Sequence, residues 1–179
     1  MGKLEEIYKL RSKSGCTSTM LHIFKEYASK CDHITEFGFG SGHGASGFLM
    51  GKPKKYITYD LHLQDVWKEY KEMLEADTDF IAIQADTGNM PMIEATDLLW
   101  IDTLHTYTHL KKELTLHGNQ ARKWIIMHDT KLYGERGPEG TRPGLRQALE
   151  EFVEENPHWK IKEIITTGPG LTILERIDA

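Results

Sequence analysis

From residue 34 onward, short apolar runs alternate with amphipathic or turn segments. The runs that predict strands are Ile34–Phe37, Tyr56–Tyr59, Phe80–Ile83, Leu98–Ile101 and Trp124–Met127. Strands that alternate with helical segments are typical of βαβ units. The pattern therefore predicts a mostly parallel sheet.

Apolar residues at helical spacing predict helices at 3–12, 17–29, Leu63–Ala76, His109–His117 and Leu145–Glu155. The link from Asp86 to Asp97 holds Pro91 and is shorter than a usual crossover, so any helix there should span about one or two turns. The segment Lys131–Pro143 is rich in glycine and proline, which predicts a mobile loop over the edge of the sheet.

The end of the chain predicts two further strands. Trp159–Thr167 and Leu171–Arg176 flank Gly168-Pro169-Gly170, which indicates an antiparallel hairpin. Together the strands predict an α/β fold, with a Rossmann-like, doubly wound, mostly parallel sheet of about seven strands. The 179 residues fit a single domain, in which N-terminal helices at 1–30 precede a core at 34–177.

The amino-acid composition indicates which classes of binding partner to expect. Lys and Arg total 22 against 27 Asp and Glu, and no dense basic block occurs, so we expect no nucleic-acid partner. No apolar run could cross a bilayer and the start lacks a signal peptide's apolar core, so we expect no membrane partner and a cytoplasmic protein. Cys16 and Cys31 follow no metal or redox spacing, which predicts reduced, buried thiols. A homo-oligomer built on the first two helices stays open.

Four glycines follow the first predicted strand, in the stretch Ile34-Thr-Glu-Phe-Gly-Phe-Gly-Ser-Gly-His-Gly-Ala-Ser46. Glycine permits positive φ angles and close approach of a ligand to the main chain, and the helix that follows offers unpaired N–H groups. This predicts a nucleotide-like cofactor rather than an ordinary flexible loop. The literal G-x-G-x-x-G at Gly42–Gly47 keeps NAD open, although its first glycine comes several residues after the strand.

An acidic residue stands at or just past the end of every predicted parallel strand: Glu36, Asp60, Asp86, Asp102 and Asp129. Ligands bind at that edge of an open parallel sheet, so we expect a shared functional rim, although any single acid could be a turn residue or helix cap. Glu36 would anchor a cationic ligand group or order the glycine turn, and Asp60 would accept hydrogen bonds from a ribose diol. Asp86 is placed for an adenine amino group, or caps a helix with Thr87.

The segment Trp100–Tyr107 carries the candidate chemistry. Asp102 ends a buried strand and His105 follows on a turn, so His105 is the predicted base that removes a hydroxyl proton. Asp102 and Asp129 could hold a divalent cation, and a set that includes His128 would suit Mn or Fe better than Mg. The alternative is an ion-free site in which Asp129 orients His105 or His128.

These segments resemble a known family. The glycine turn with its acid, Glu36-x-Gly38-x-Gly40-x-Gly42, resembles motif I of class I S-adenosylmethionine-dependent methyltransferases. The wider match, over about residues 17–177, is to the family of rhamnosyl and macrolide-sugar O-methyltransferases and cephalosporin-hydroxylase-like proteins. It rests on the glycine turn and on Trp100-Ile-Asp-Thr-Leu-His-Thr-Tyr107, Ile125-Ile-Met-His-Asp-Thr130, Gly144-Leu-Arg-Gln-Ala-Leu-Glu-Glu-Phe152 and Asn156-Pro-x-Trp159.

The resemblance implies a Rossmann-like seven-stranded sheet and S-adenosylmethionine (SAM) as cofactor. The residues predicted to bind this cofactor are Glu36, Gly38, Gly40, Gly42, Asp60 and Asp86. The resemblance also implies a divalent metal such as Mg or Mn at Asp102 and Asp129, with His105 as base. The chain departs from the family at Thr103, where glycine is frequent, and at His128, where some metal-dependent relatives have an acid.

The resulting hypothesis is methyl transfer from SAM to a hydroxyl of a small molecule, with sugars as one acceptor class. The alternatives are a nicotinamide-dependent oxidoreductase and a non-catalytic cofactor-binding module.

Overall fold

The computed structural model describes residues 2–15, 17–74 and 78–177. The predicted thiol of Cys16 and the predicted helix end at Ala76 lie outside the described residues. The chain divides into two compact units, Met1–Ala85 and Asp86–Ala179. The single-domain organisation stays a prediction.

Seven strands form one mixed sheet in the order β3-β2-β1-β4-β5-β7-β6. The pairs β1–β2, β2–β3 and β4–β5 are parallel, whereas β7 runs antiparallel to both β5 and β6. This confirms the predicted Rossmann-like sheet with its C-terminal antiparallel hairpin.

In the first unit, α1 and α2 precede three strands that alternate with helices. The elements are α1 (Lys3–Arg11), α2 (Leu21–Ala28), β1 (His33–Phe37), α3 (His43–Phe48), β2 (Lys55–Asp60), α4 (Val66–Met73) and β3 (Asp79–Gln84). Its core contains the stacked rings of Phe24 and Phe48, whose centroids lie 4.7 Å apart, and those of Tyr56 and Phe80 at 5.6 Å. Helix α1 contributes no fully buried residue.

The second unit contains the remaining elements: β4 (Thr96–Ile101), α5 (Tyr107–His117), β5 (Ala121–His128), α6 (Leu145–Glu155), β6 (Trp159–Ile165) and β7 (Leu171–Arg176). Every residue of β4 is buried, as expected for a strand inside a parallel sheet covered on both faces. Helix α6 buries Leu145, Ala148, Leu149 and Phe152, which recur at the helical spacing that predicted it.

Element boundaries differ modestly from the predictions. Helix α2 begins at Leu21 rather than residue 17, because residues 17–20 form turns, and α4 begins at Val66 rather than Leu63. Residues 85–95, all of them described, contain a turn and no helix. In the described part of the chain, no helix has both the length and the apolar character needed to span a bilayer.

The five predicted acids all lie at the C-terminal ends of their strands or within two residues of them. Glu36 and Asp60 belong to β1 and β2, and Asp86, Asp102 and Asp129 follow β3, β4 and β5. The strand ends of each unit therefore carry the candidate functional groups.

Candidate functional site

The glycine turn of the first unit has the backbone conformation that its sequence predicts. Gly38, Gly40 and Gly42 have φ angles of 88°, 51° and 80°, in the region that L side chains rarely adopt. The hydroxyl of Tyr70 donates to the Gly42 carbonyl over 2.7 Å, and a Cβ added to Gly42 would lie 2.6 Å from the Tyr70 ring. A side chain at Gly42 is therefore excluded twice, by backbone strain and by the Tyr70 ring.

Asp60 organises this turn through main-chain hydrogen bonds. Its carboxylate accepts from the N–H of Gly40 and from that of His62, each over 2.8 Å. Each carboxylate oxygen can accept a further hydrogen bond, so these contacts leave acceptor capacity for a ligand.

Glu36 lies in β1 and is completely buried. Burial raises the pKa of the neighbouring Tyr56 hydroxyl well above its usual range, and the charge of Glu36 raises it further. Both predicted roles of Glu36, anchoring a cationic ligand group and ordering the glycine turn, stay predictions.

Arg11, at the end of α1, contacts the outer side of the glycine turn. Its guanidinium donates to the Ser41 carbonyl over 2.5 Å and approaches Nδ1 of His43, also at 2.5 Å. Sequence reasoning missed both Arg11 and Tyr70, because each comes from a helix distant in the chain.

Four titratable side chains of the second unit converge at the ends of β4 and β5. Nε2 of His105 lies 2.7 Å from the Asp129 carboxylate and 3.3 Å from that of Asp102. Nδ1 of His128 lies 3.2 Å from Asp102 and 3.4 Å from Asp129. Each imidazole thus faces both carboxylates, and we call these four residues the acid–imidazole cluster.

Local backbone geometry aims Asp129 into the cluster. Asp129 has a φ of 59°, uncommon for a residue with a side chain, and its carbonyl accepts from the N–H of Tyr133 over 2.9 Å. The turn so formed brings the Tyr133 ring against the imidazole of His105, with centroids 4.9 Å apart and an interplanar angle of 16°. The sequence analysis did not single out Tyr133.

The electrostatics of the cluster are strongly coupled. Burial by itself lowers the pKa of His105, but hydrogen bonds to Asp102 and Asp129 outweigh it and raise that pKa to about 9. The same balance raises the pKa of His128 to about 10. In return the imidazoles lower the pKa of both Asp102 and Asp129, against the opposing effect of burial. In the absence of another cation, the two carboxylates therefore favour the protonated form of both imidazoles.

The cluster also fits a divalent metal. Ligand atoms of Asp102, His128 and Asp129 all lie within 4.8 Å of one another. The separations of 3.2 and 3.4 Å between His128 and the two carboxylates are close to the roughly 3 Å expected between adjacent ligands with metal bonds of about 2.1 Å. One imidazole with two carboxylates is a donor set suited to Mn or Fe. The geometry is thus compatible with both of the alternatives that the sequence left open.

Asp86 forms a turn of its own. Its carboxylate accepts from the N–H of Gly88 over 3.0 Å and from the side-chain amide of Asn89 over 2.6 Å. Asp86 is therefore a turn cap as well as a candidate ligand group. Thr87 does not assist the cap, because its hydroxyl donates to Glu113 on α5.

Glu113 is a polar residue that the sequence analysis overlooked. It is completely buried, and it contacts Thr87, Thr103 and His109. Residues 109, 113 and 117 recur every fourth position on α5, so a polar stripe beside the apolar Leu110 and Leu114 was a detectable signal.

No protein-family model and no curated protein matches the chain. Solved structures do resemble it. The SAH-bound methyltransferase PaMTH1 of Podospora anserina matches with a TM-score of 0.62 and 17% identity, over 98% of this chain and 88% of that chain. The N-methyltransferase NodS of Bradyrhizobium japonicum matches with a TM-score of 0.66 and 12% identity, over 88% and 93%.

The magnesium protoporphyrin IX methyltransferase ChlM of Synechocystis, with bound SAM, matches with a TM-score of 0.62 and 10% identity, over 88% of this chain and 78% of that chain. At such identities the likeness shows that the chain has the fold of these methyltransferases. Fold alone does not identify the acceptor of this chain, which depends on its own site residues.

Proposed function

We propose that this protein is a SAM-dependent methyltransferase that acts on a hydroxyl of a small molecule, with sugars as one acceptor class. The observation that carries the proposal is the turn at Gly38, Gly40 and Gly42, with three positive φ angles at the end of β1. It occurs on a fold shared with methyltransferases that bind SAM or its product S-adenosylhomocysteine (SAH).

In this proposal the glycine turn receives the cofactor through its main chain. Asp60 already holds the turn through Gly40 and would accept from the ribose hydroxyls with its remaining lone pairs. Asp86 would meet the adenine amino group. Glu36, buried in β1, would anchor a cationic ligand group or order the glycine turn.

The acid–imidazole cluster would remove the acceptor's proton. The carboxylates of Asp102 and Asp129 face Nε2 of His105, so neutral His105 keeps its hydrogen on Nε2 and offers Nδ1 as the proton acceptor. SAM would supply the methyl group to the acceptor oxygen and leave as SAH, while Nδ1 of His105 would take the hydroxyl proton. Stacking on Tyr133 would keep the His105 ring oriented.

Asp102, Asp129 and His128 would hold a divalent metal, Mg or Mn, and the imidazole in this donor set favours Mn over Mg. Such a metal supplies a Lewis acid that stabilises the acceptor's developing oxyanion. The observation behind this part of the proposal is that ligand atoms of the three residues lie within 4.8 Å of one another.

The nicotinamide alternative fits the structure less well. The dinucleotide fingerprint needs its first glycine at the end of the strand, whereas β1 ends at Phe37 and Gly42 follows five residues later. A non-catalytic binding module would not need the two imidazoles and two carboxylates to converge, so the cluster favours an enzyme over such a module.

The test is calorimetric titration of the purified protein with SAM, SAH and NAD, each with and without Mg or Mn. We expect SAM and SAH to bind, NAD not to bind, and Mn to bind independently. Asp129→Asn is the matched variant: it should weaken Mn binding at least about tenfold while SAH binding stays within about twofold. NAD binding in place of SAM would overturn the cofactor assignment. Unchanged Mn binding in Asp129→Asn would remove the metal site.

A further inference from the structure

Glu113 connects two turns of the second unit that the proposed function assigns to different tasks. Both of its carboxylate oxygens lie 2.9 Å from the Thr103 hydroxyl, which donates to them. One of them also accepts from the Thr87 hydroxyl over 2.5 Å. Thr103 lies between Asp102 and His105 in the chain, and Thr87 directly follows Asp86.

Neighbours on α5 reinforce this connection. Nε2 of His109 lies 3.1 Å from the Glu113 carboxylate. One turn further, Nδ1 of His117 accepts from the Ile93 N–H over 3.3 Å, which leaves Nε2 to donate to the Thr87 carbonyl over 2.9 Å. Thr87 is thus held through both its hydroxyl and its carbonyl.

Packing a helix with a completely buried carboxylate is energetically unfavourable. Burying the charge costs free energy that an apolar side chain of similar size would not cost. Glu113 recovers part of that cost through its hydrogen bonds, two of which come from threonines in the two candidate functional turns. Its partners therefore distinguish it from a residue that only fills space.

We propose that Glu113 is a positioning residue that holds the Asp86 turn through Thr87 and the Asp102–His105 turn through Thr103. This inference rests on the proposed function, which gives Asp86 to the cofactor and Asp102 to the metal. One buried carboxylate then positions both the turn proposed for the cofactor and the turn proposed for the metal. It also accounts for Thr103, since a glycine there would offer no hydroxyl to Glu113.

Three variants and one control test the two connections of Glu113 separately. Thr87→Val removes the hydroxyl that reaches the Asp86 turn, Thr103→Val removes the one that reaches the Asp102 turn, and Glu113→Gln weakens both. Thr115→Val, on the exposed side of α5, is the matched control. The probes are SAH and Mn²⁺, titrated by calorimetry, with thermal unfolding to show that each variant folds.

We expect Thr87→Val to weaken SAH binding about tenfold and to leave Mn²⁺ within about twofold. Thr103→Val should do the reverse, and Glu113→Gln should weaken both. Equal losses of both probes in the two threonine variants would indicate a general packing role and overturn the proposal, as would unchanged binding in Glu113→Gln.

If the wild type binds neither SAH nor Mn²⁺, the proposed function is overturned but the role of Glu113 is not. Hydrogen exchange of the main-chain amides then tests that role without any ligand. Glu113→Gln should speed exchange at the turn amides of Gly88, Asn89 and Thr106 while the amides of β4 and β5 stay protected. Unchanged exchange at these three amides would show that Glu113 does not hold the turns, whatever the protein binds.

Discussion

The glycine turn and the acid–imidazole cluster use carboxylates in opposite ways. In the glycine turn, Asp60 accepts from two main-chain N–H groups and so shapes the backbone. In the cluster, Asp102 and Asp129 face two imidazoles and so set their protonation. In the proposed function the first arrangement would shape the main chain that receives the cofactor, and the second would determine which atoms can take a proton.

This difference predicts which kind of substitution should affect each region most. A turn built from main-chain groups depends on φ angles and free space, so added side-chain volume should damage it most. A cluster built from side chains depends on which atoms can hold a proton, so loss of a single nitrogen should damage it most. Substitutions in the two regions should accordingly give separable effects.

The largest expected effect is on turnover in His105→Ala. Loss of a general base typically costs roughly 100-fold to 10⁴-fold in rate, so SAH formation on a panel of hydroxylated sugars should fall by about that factor. Cofactor affinity should stay within about twofold, because the glycine turn is intact. His22→Ala, at an exposed position of α2, is the control. Full activity in His105→Ala would remove His105 as the base.

The second prediction compares two glycines of one turn. A Cβ at Gly42 would meet the Tyr70 ring at 2.6 Å, whereas a Cβ at Gly40 would meet nothing within 4 Å, and both φ angles are positive. Gly42→Ala should lower the free energy of unfolding by about 3 kcal/mol and Gly40→Ala by about 1 kcal/mol. Denaturant unfolding measures both. Equal losses would mean that backbone strain alone, without the Tyr70 contact, restricts the turn.

The smallest effect concerns pH and lies outside both regions. The hydrogen bond to Glu113 raises the pKa of His109 most, burial opposes it, the charges of Glu113 and Asp86 add to the rise, and Lys112 opposes it. A raised folded-state pKa stabilises the protein fully below the unfolded value of about 6.5, and this stability is lost as pH rises through the folded value.

The stability difference between wild type and Glu113→Gln should therefore be larger at about pH 6 than at about pH 9, by less than about 1 kcal/mol. Thermal unfolding of both proteins at the two pH values measures this difference, in which contributions from unrelated groups cancel. A difference that grows toward high pH would contradict the proposed pairing of Glu113 with protonated His109.

Much of the fold was predictable because its signals are local. Continuous apolar runs such as Leu98–Ile101 predict buried parallel strands, and glycines at alternate positions after β1 predict a turn that needs positive φ. Helix starts were less predictable: α2 begins at Leu21 because residues 17–20 form turns that periodicity does not register.

Some residues of the candidate site were likewise predictable from local sequence, and others were not. Its carboxylates follow directly from their places at strand ends, so Asp60, Asp102 and Asp129 were recognisable from the sequence. Their partners come from elsewhere in the chain. Tyr133 reaches His105 because the turn at Asp129 has an uncommon backbone conformation. No pattern in the sequence predicts that conformation.

The sequence by itself thus determined the order of strands and helices, the glycine turn and the residue types at the strand ends, because periodicity and backbone freedom are local properties. Only the tertiary structure decided that His105 and His128 each face both carboxylates, and that Glu113 joins Thr87 to Thr103. Hydrogen bonds between residues distant in the chain depend on packing to within a few tenths of an ångström, and no local pattern encodes that distance.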